Sequence, residues 1–335
     1  MQDTNVKETK YYTEDSLVNA ARVLLDGGLV VFPTETVYGL GADARNQAAC
    51  EAVYAAKNRP GDNPLIVHLY SIDQLQDAAS EVPSAALELF RRFSPGPLTI
   101  VLPKSDQISS AATAGLNSVG IRLPSHPVAR RFLEAVQIPV AGPSANLSGR
   151  NSPTTFSIAV ETMKGRVDGI IDGGDCTVGL ESTILGFQED RVKILRPGAI
   201  TYEMLVDALG NDLVIRPPDY QPKVDRPEAP GMKYAHYQPD ATVHLLAEVD
   251  PELIETRFIN STVGYMGLVD PRPLSDRIHV RTFKDLTEYA RNLYRTFHEF
   301  DQLGCDIIIA EVPPRTGLGV ALMDRLDKAS DGRVL

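Results

Sequence analysis

The chain has 335 residues, 43% hydrophobic and 23% charged, with a formal net charge of −11. This is ordinary globular composition, which excludes disorder as the main state, and at ~100–200 residues per domain it points to two domains. No run approaches the ~18 consecutive apolar residues of a membrane span, and the polar start MQDTNVKETK lacks the apolar core of a secretory signal.

The predicted elements follow in chain order. Residues 14–26 read as a helix that Thr13 can cap, with Leu17, Ala21, Leu24 and Leu25 on one face and Gly27-Gly28 as its stop. LVVFP (29–33) is a buried strand and TETVYGLGAD a turn-rich loop. Asn46 caps a helix through Ala56, and NRPGDNP breaks it. Strands follow at 64–70, 98–103, 119–124 and 138–142, interleaved with helices at 83–93 and 127–136. Consecutive strands at 167–172, 182–187 and 192–198 precede a helix near 201–209. Strand–helix–strand units mixed with adjacent strand pairs predict an α/β fold with a mixed parallel and antiparallel twisted sheet.

Residues 211–240 are rich in Pro and Tyr and read as a linker. Beyond it, strands near 242–248, 258–269 and 305–313 and a long amphipathic helix at 285–304 predict a second, smaller α/β domain over 241–335. The first domain is placed at 12–210.

Three dispersed cysteines, Cys50, Cys176 and Cys305, form no CxxC pair. They read as small buried hydrophobes in a protein of the reducing cytoplasm. Six scattered histidines show no metal-ligand spacing. There is no GxxxxGK[ST], HExxH or GxSxG. GLGVAL (317–322) has Leu322 where a dinucleotide fingerprint needs its third glycine, and reads better as a helix start. Between Lys57 and Arg150, nine Lys and Arg face seven Asp and Glu, so that stretch is +2 and the remainder −13. A local positive excess in an acidic chain suits a small anionic ligand rather than a long polyanion.

Four segments place polar or cationic residues directly after a strand or at a helix end, where open α/β sheets bind ligands. Thr34-Glu35-Thr36-Val37-Tyr38-Gly39 puts two hydroxyls and a carboxylate after a strand, more than a simple turn requires. Lys57-Asn58-Arg59, leaving a helix, can converge on one anion, although the helix dipole alone explains Lys57. His68 in an apolar strand is, alone, more often a satisfied core histidine. Arg122 in an apolar strand needs either a protein carboxylate, the usual case, or a substrate carboxylate. Gly142-Pro143-Ser144-Ala145-Asn146-Leu147-Ser148 suits phosphate or sugar contacts and equally a generic turn. With Arg196 after a later strand, these cations suit a nucleoside triphosphate plus a carboxylate. No nucleophile–base pair appears, so the chemistry is one of positioning and charge neutralisation.

FPTETVYGLGADA, AAKNRPGDNPLIVH, SPGPLTIVL, GIRLPSHP, AGPSANLSG, GLESTI, ILRPGAI and APGMKYAHYQP, in this order, resemble the YrdC family. The linker and tail resemble its long two-domain form, the L-threonylcarbamoyladenylate synthases of tRNA modification. The resemblance implies a YrdC-like sheet with a Rossmann-like second domain. It also implies the reaction: L-threonine, bicarbonate and ATP give L-threonylcarbamoyl-AMP and pyrophosphate. The catalytic residues it implies are Lys57 and Arg59, which form a tetrad with Ser144 and Asn146. Its ATP site would include Arg59, Asn63, Ser118, Ser144, Asn146, Ser152, Arg196 and Tyr234. Its L-threonine site would include Thr34 or Thr36, His68, Arg122 and Ser182. Mg²⁺ would arrive with ATP, with no metal held by the protein, no zinc and no NAD. The downstream partner implied is a threonylcarbamoyltransferase complex, with tRNA met only indirectly and no membrane. The Tyr-rich linker is the expected lid, because an acyl adenylate in an open site hydrolyses. Two other classes compete: an RNA-binding module, disfavoured by the acidic charge, and a carbamoyltransferase acting on carbamoyl phosphate, disfavoured because no acylphosphatase or zinc-finger module is seen.

Overall fold

The computed structural model describes residues 7–216 and 237–335. Eleven strands form the larger sheet among these residues: β1 (Lys10–Tyr12), β2 (Val30–Phe32), β3 (Gly39–Asp43), β4 (Ile66–His68), β5 (Leu98–Pro103), β6 (Ser118–Arg122), β7 (Val140–Ala141), β8 (Gly169–Ile171), β9 (Thr183–Gln188), β10 (Arg191–Arg196) and β11 (Val214–Ile215). Their order is β1-β8-β2-β3-β7-β4-β6-β5-β9-β10-β11. Pairs such as β4/β6 and β5/β9 are parallel, and pairs such as β2/β3 and β5/β6 antiparallel. The mixed sheet expected from the strand spacing is therefore present.

Seven helices go with this sheet: α1 (Leu17–Leu25), α2 (Gln47–Ala56), α3 (Leu75–Ala78), α4 (Ser84–Phe93), α5 (Pro127–Val136), α6 (Phe156–Met163) and α7 (Tyr202–Leu209). They cover both faces. In β2, Val30 and Phe32 join the cluster under α1 and α5, while Val31 joins the opposite one with α2 and α4. A strand buried on both faces carries a continuous apolar run, which is why VVF lacks alternation. Asn46 Oδ1 accepts from the Ala49 N–H at 3.1 Å and so starts α2 as the sequence predicts. In α5, Val128, Ala129, Phe132, Leu133 and Val136 form the buried stripe. Phe132 packs on Phe32 at 5.6 Å between ring centroids. Phe132→Ala is expected to cost about 3–5 kcal/mol, read as a lower midpoint in urea denaturation.

TETVYGLGAD is not a turn-rich loop. Gly39–Asp43 forms β3, antiparallel to β2. Its glycines do not make turns: a Cβ on Gly39 would sit 3.2 Å from the Phe32 ring, and one on Gly41 3.0 Å from the Val30 carbonyl oxygen. They let a strand cross a phenylalanine. The reading also missed β1, α3 and α6. Residues 214–215, read as linker, extend the large sheet as β11, and most of the remaining linker lies outside the described residues.

The smaller sheet is fully parallel. It comprises β12 (Thr242–Leu246), β13 (Val263–Gly267), β14 (Ile278–Thr282) and β15 (Ile307–Glu311), in the order β12-β15-β13-β14. Helices α8 (Pro251–Arg257), α9 (Leu286–Gln302) and α10 (Leu318–Ser330) pack on it. Ile308 and Ala310 of β15 face one cluster and Ile309 the other, so this sheet too is covered on both sides. GLGVAL does start a helix, α10. The three cysteines are free and buried. Among the described residues no helix is long and apolar enough to cross a membrane.

Candidate active site

The parallel strands β4 and β6 end side by side on His68 and Arg122. Arg122 also faces Thr99 of β5, whose hydroxyl meets that of Ser182 at 2.7 Å. The loop after β2, the end of α2 and the loop after β7 converge on the same sheet edge. They border one cleft. Thr34, Thr36, Lys57, Arg59, His68, Arg122, Ser144, Asn146, Ser182 and Arg196 all line it.

Lys57 caps α2 at its C-terminus and is buried. Its Nζ donates to the carbonyls of Ser144 and Asn146 and, at 3.4 Å, to Asn146 Oδ1. Burial and the neighbouring Arg59 push its pKa well down. Its oxygen acceptors work in the other direction, since they favour the ammonium. Ser144 Oγ donates to Asn146 Oδ1, and Asn146 Nδ2 donates to the carbonyls of Leu147 and Arg150 at 2.8 Å. Lysine, serine and asparagine thus form one knot. Arg59 beside it donates to the carbonyls of Asn63 and Pro64 at 3.1 and 3.2 Å.

At the other end, Arg122 pairs with Glu35 at 2.8 Å, both side chains only 5% exposed. The usual case for a strand arginine therefore holds: a protein carboxylate balances it. Among the described residues its Nε has no hydrogen-bond partner, nor does His68 Nδ1. Burial and Arg122 lower the His68 pKa to about 3, so its imidazole is neutral. Thr34 Oγ1 donates its only proton to the Val37 carbonyl at 2.6 Å. The 2.9 Å bond between Thr34 and Thr36 must then take its proton from Thr36. This leaves the Thr36 oxygen as an acceptor bordering the cleft.

Three expected residues do not line the cleft. Ser118 begins β6 opposite Pro103, four residues before Arg122 and thus ~13 Å along the strand. Asn63 is buried behind Arg59, its carbonyl accepting from Tyr54. Ser152 lies one contact back, its Oγ 2.7 Å from Glu181. Tyr234 and the lid segment up to residue 236 fall outside the described residues. Sequence reasoning missed Glu181, which lines the cleft, and the role of Glu35 as partner of Arg122, while Ser148 of the Gly142–Ser148 segment and Tyr237 of the Tyr-rich linker line it too. Glu181 lies in the GLESTI motif, but nothing local marks it as a cleft residue. Burial would raise its pKa, but Arg325 and Arg196 hold it at about 2.

A family model described as "Telomere recombination" (Sua5_yciO_yrdC) matches residues 22–198, and one described as "Threonylcarbamoyl-AMP synthase, C-terminal domain" matches residues 200–331. The chain is 40% identical to a threonylcarbamoyl-AMP synthase of Pyrococcus abyssi, covering 94% of each chain. It is 41% identical to one of Bacillus subtilis, covering 96% of this chain and 95% of the relative. A crystal structure of P. abyssi Sua5 complexed with L-threonine superposes with a TM-score of 0.89 at 38% identity, covering 98% of both chains. The chain thus belongs to the Sua5/YciO/YrdC family, in the two-domain form that carries the threonylcarbamoyl-AMP synthase C-terminal domain.

Proposed function

We propose that this protein makes L-threonylcarbamoyl-AMP and pyrophosphate from L-threonine, bicarbonate and ATP, the first step of threonylcarbamoyladenosine formation on tRNA. One observation carries the reading: a single cleft joins a lysine–arginine end to an arginine–histidine–threonine end, on a scaffold shared with a relative solved with L-threonine. Arg122 Nε is the donor for the threonine carboxylate, and Thr36 the acceptor for its ammonium or hydroxyl. Ser182 and His68 complete that end. Arg59, Ser144, Asn146 and Arg196 face the nucleotide.

The threonine amine takes up bicarbonate as a carbamate, with loss of water. A carbamate oxygen attacks the α-phosphorus, and the bond to the bridging oxygen of the leaving diphosphate breaks. Charge builds on the non-bridging oxygens and on pyrophosphate, where Lys57 and Arg59 offset it. No general base is required of the chain, because the carbamate is already an anion. The carboxylates of this site are engaged, Glu35 by Arg122 and Glu181 by Arg325. Among the described residues no cluster of metal-ligating side chains occurs. Mg²⁺ enters as part of the MgATP substrate, held by phosphate oxygens and water. The product passes to a threonylcarbamoyltransferase acting in the cytoplasm, and the acidic chain itself has no need to hold tRNA.

Pyrophosphate release from MgATP is expected only when L-threonine and bicarbonate are both present. Release without threonine would overturn the reading.

A further inference from the structure

The cleft wall nearest the small domain is held by a residue of that domain. Arg325, on α10, is fully buried. Its Nε pairs with the Glu181 carboxylate at 2.8 Å. The same guanidinium donates to the Glu181 carbonyl at 3.3 Å and the Pro197 carbonyl at 2.9 Å. These carbonyls flank the contact in which Arg196 donates to the Ser182 carbonyl at 2.9 Å and its hydroxyl at 3.2 Å. Arg325 therefore grips the chain immediately before Ser182 and immediately after Arg196.

Tyr237, which lines the cleft, is gripped as well. It sits at φ +68°, a region side chains rarely adopt. Its ring stacks on Tyr294 of α9 at 5.5 Å, and the Arg325 guanidinium lies 5.5 Å from its centroid. The Tyr294 hydroxyl also donates to Glu181, at 2.9 Å. Glu181 is thus one buried carboxylate paired with Arg325, and the next residue, Ser182, holds the second buried guanidinium, Arg196. Asp324 beside Arg325 has its own second cation, Lys328, at 2.8 Å.

We propose that Arg325 is a positioning residue for the nucleotide end of the cleft: by occupying Glu181 it keeps Arg196 on Ser182 and turned to the phosphates, which makes ATP binding depend on docking of the small domain. This rests on the synthase reading, since it concerns the same site. Without Arg325, Glu181 would be an uncompensated buried charge, and Arg196 is the cation placed to take it.

The test measures ATP KM, kcat and L-threonine affinity for Arg325→Met, Tyr294→Phe and the double variant Glu181→Gln/Arg325→Met. Arg325→Met is expected to raise ATP KM at least tenfold with kcat and threonine Kd within threefold. The double variant, in which no carboxylate competes for Arg196, is expected to return ATP KM to within threefold of wild type. A brace that only stabilises the fold would not show this recovery. An unchanged ATP KM in a folded Arg325→Met protein, or a double variant no better than the single, overturns the proposal. If Arg325→Met does not fold, Tyr294→Phe decides, with a two- to fivefold rise in ATP KM expected and no change overturning. Calorimetry of the wild type with a non-hydrolysable ATP analogue separates the levels. No binding there overturns the synthase reading, and binding with unaffected variants overturns only the role of Arg325.

Discussion

Lys57→Met is expected to lower the rate of pyrophosphate formation by ~10²–10³-fold at saturating substrate, as for removal of a preorganised donor at a centre of developing charge. The lysine is buried, and its three acceptors point it into the knot with Ser144 and Asn146. Methionine fills the same volume without the charge. The carbonyls of Ser144 and Asn146 then lose their donor, at about 1–3 kcal/mol for each buried group left unsatisfied. Thermal stability should therefore fall together with activity. A parallel Arg59→Met variant separates the two effects, because Arg59 donates to the carbonyls of Asn63 and Pro64 in the loop beyond α2. Its activity should fall with a smaller change in melting temperature. Lys57→Met retaining more than a tenth of wild-type rate would remove the lysine from the chemistry.

Arg122→Met is expected to raise the KM for L-threonine by ~10²-fold or more while ATP affinity holds. The variant also leaves Glu35 buried without its cation, a loss of about 3–5 kcal/mol in stability. Adding Glu35→Gln removes the orphaned charge. The double variant should recover most of the stability in urea denaturation and none of the threonine affinity. Recovery of both would make Arg122 a structural residue that merely borders the cleft.

Much of the fold was legible because its elements carry local signals. Asn46 before α2, Pro127 opening α5 and the apolar runs of β2 and β5 each state their structure within a few residues. β3 was misread because glycine has two uses, and only the Phe32 ring across the strand pair shows which one applies at Gly39 and Gly41. α10 was seen only as a helix start, because its buried face includes Arg325 and Asp324, which interrupt any apolar stripe. In the site, Lys57, Arg59, His68 and Arg122 stand out as charged or polar groups in rigid or apolar surroundings. Whether Arg122 met a protein or a substrate carboxylate depended on a contact with Glu35 across the fold. Glu181 was invisible for the same reason, since its role depends on a partner far along the chain.

That separation has a biosynthetic consequence. Glu181 and Arg325 lie 144 positions apart. At ~5–20 residues per second of synthesis, roughly 7–30 s pass between their emergence from the ribosome. The large sheet can fold in that interval, but its carboxylate waits for the partner that neutralises it. A nascent chain therefore exposes cations suited to nucleotide phosphates before it can arrange them. If Arg325 positions Arg196 as proposed, competence for ATP arrives late in translation, when α10 docks, and a chain stalled before residue 325 binds nucleotide poorly.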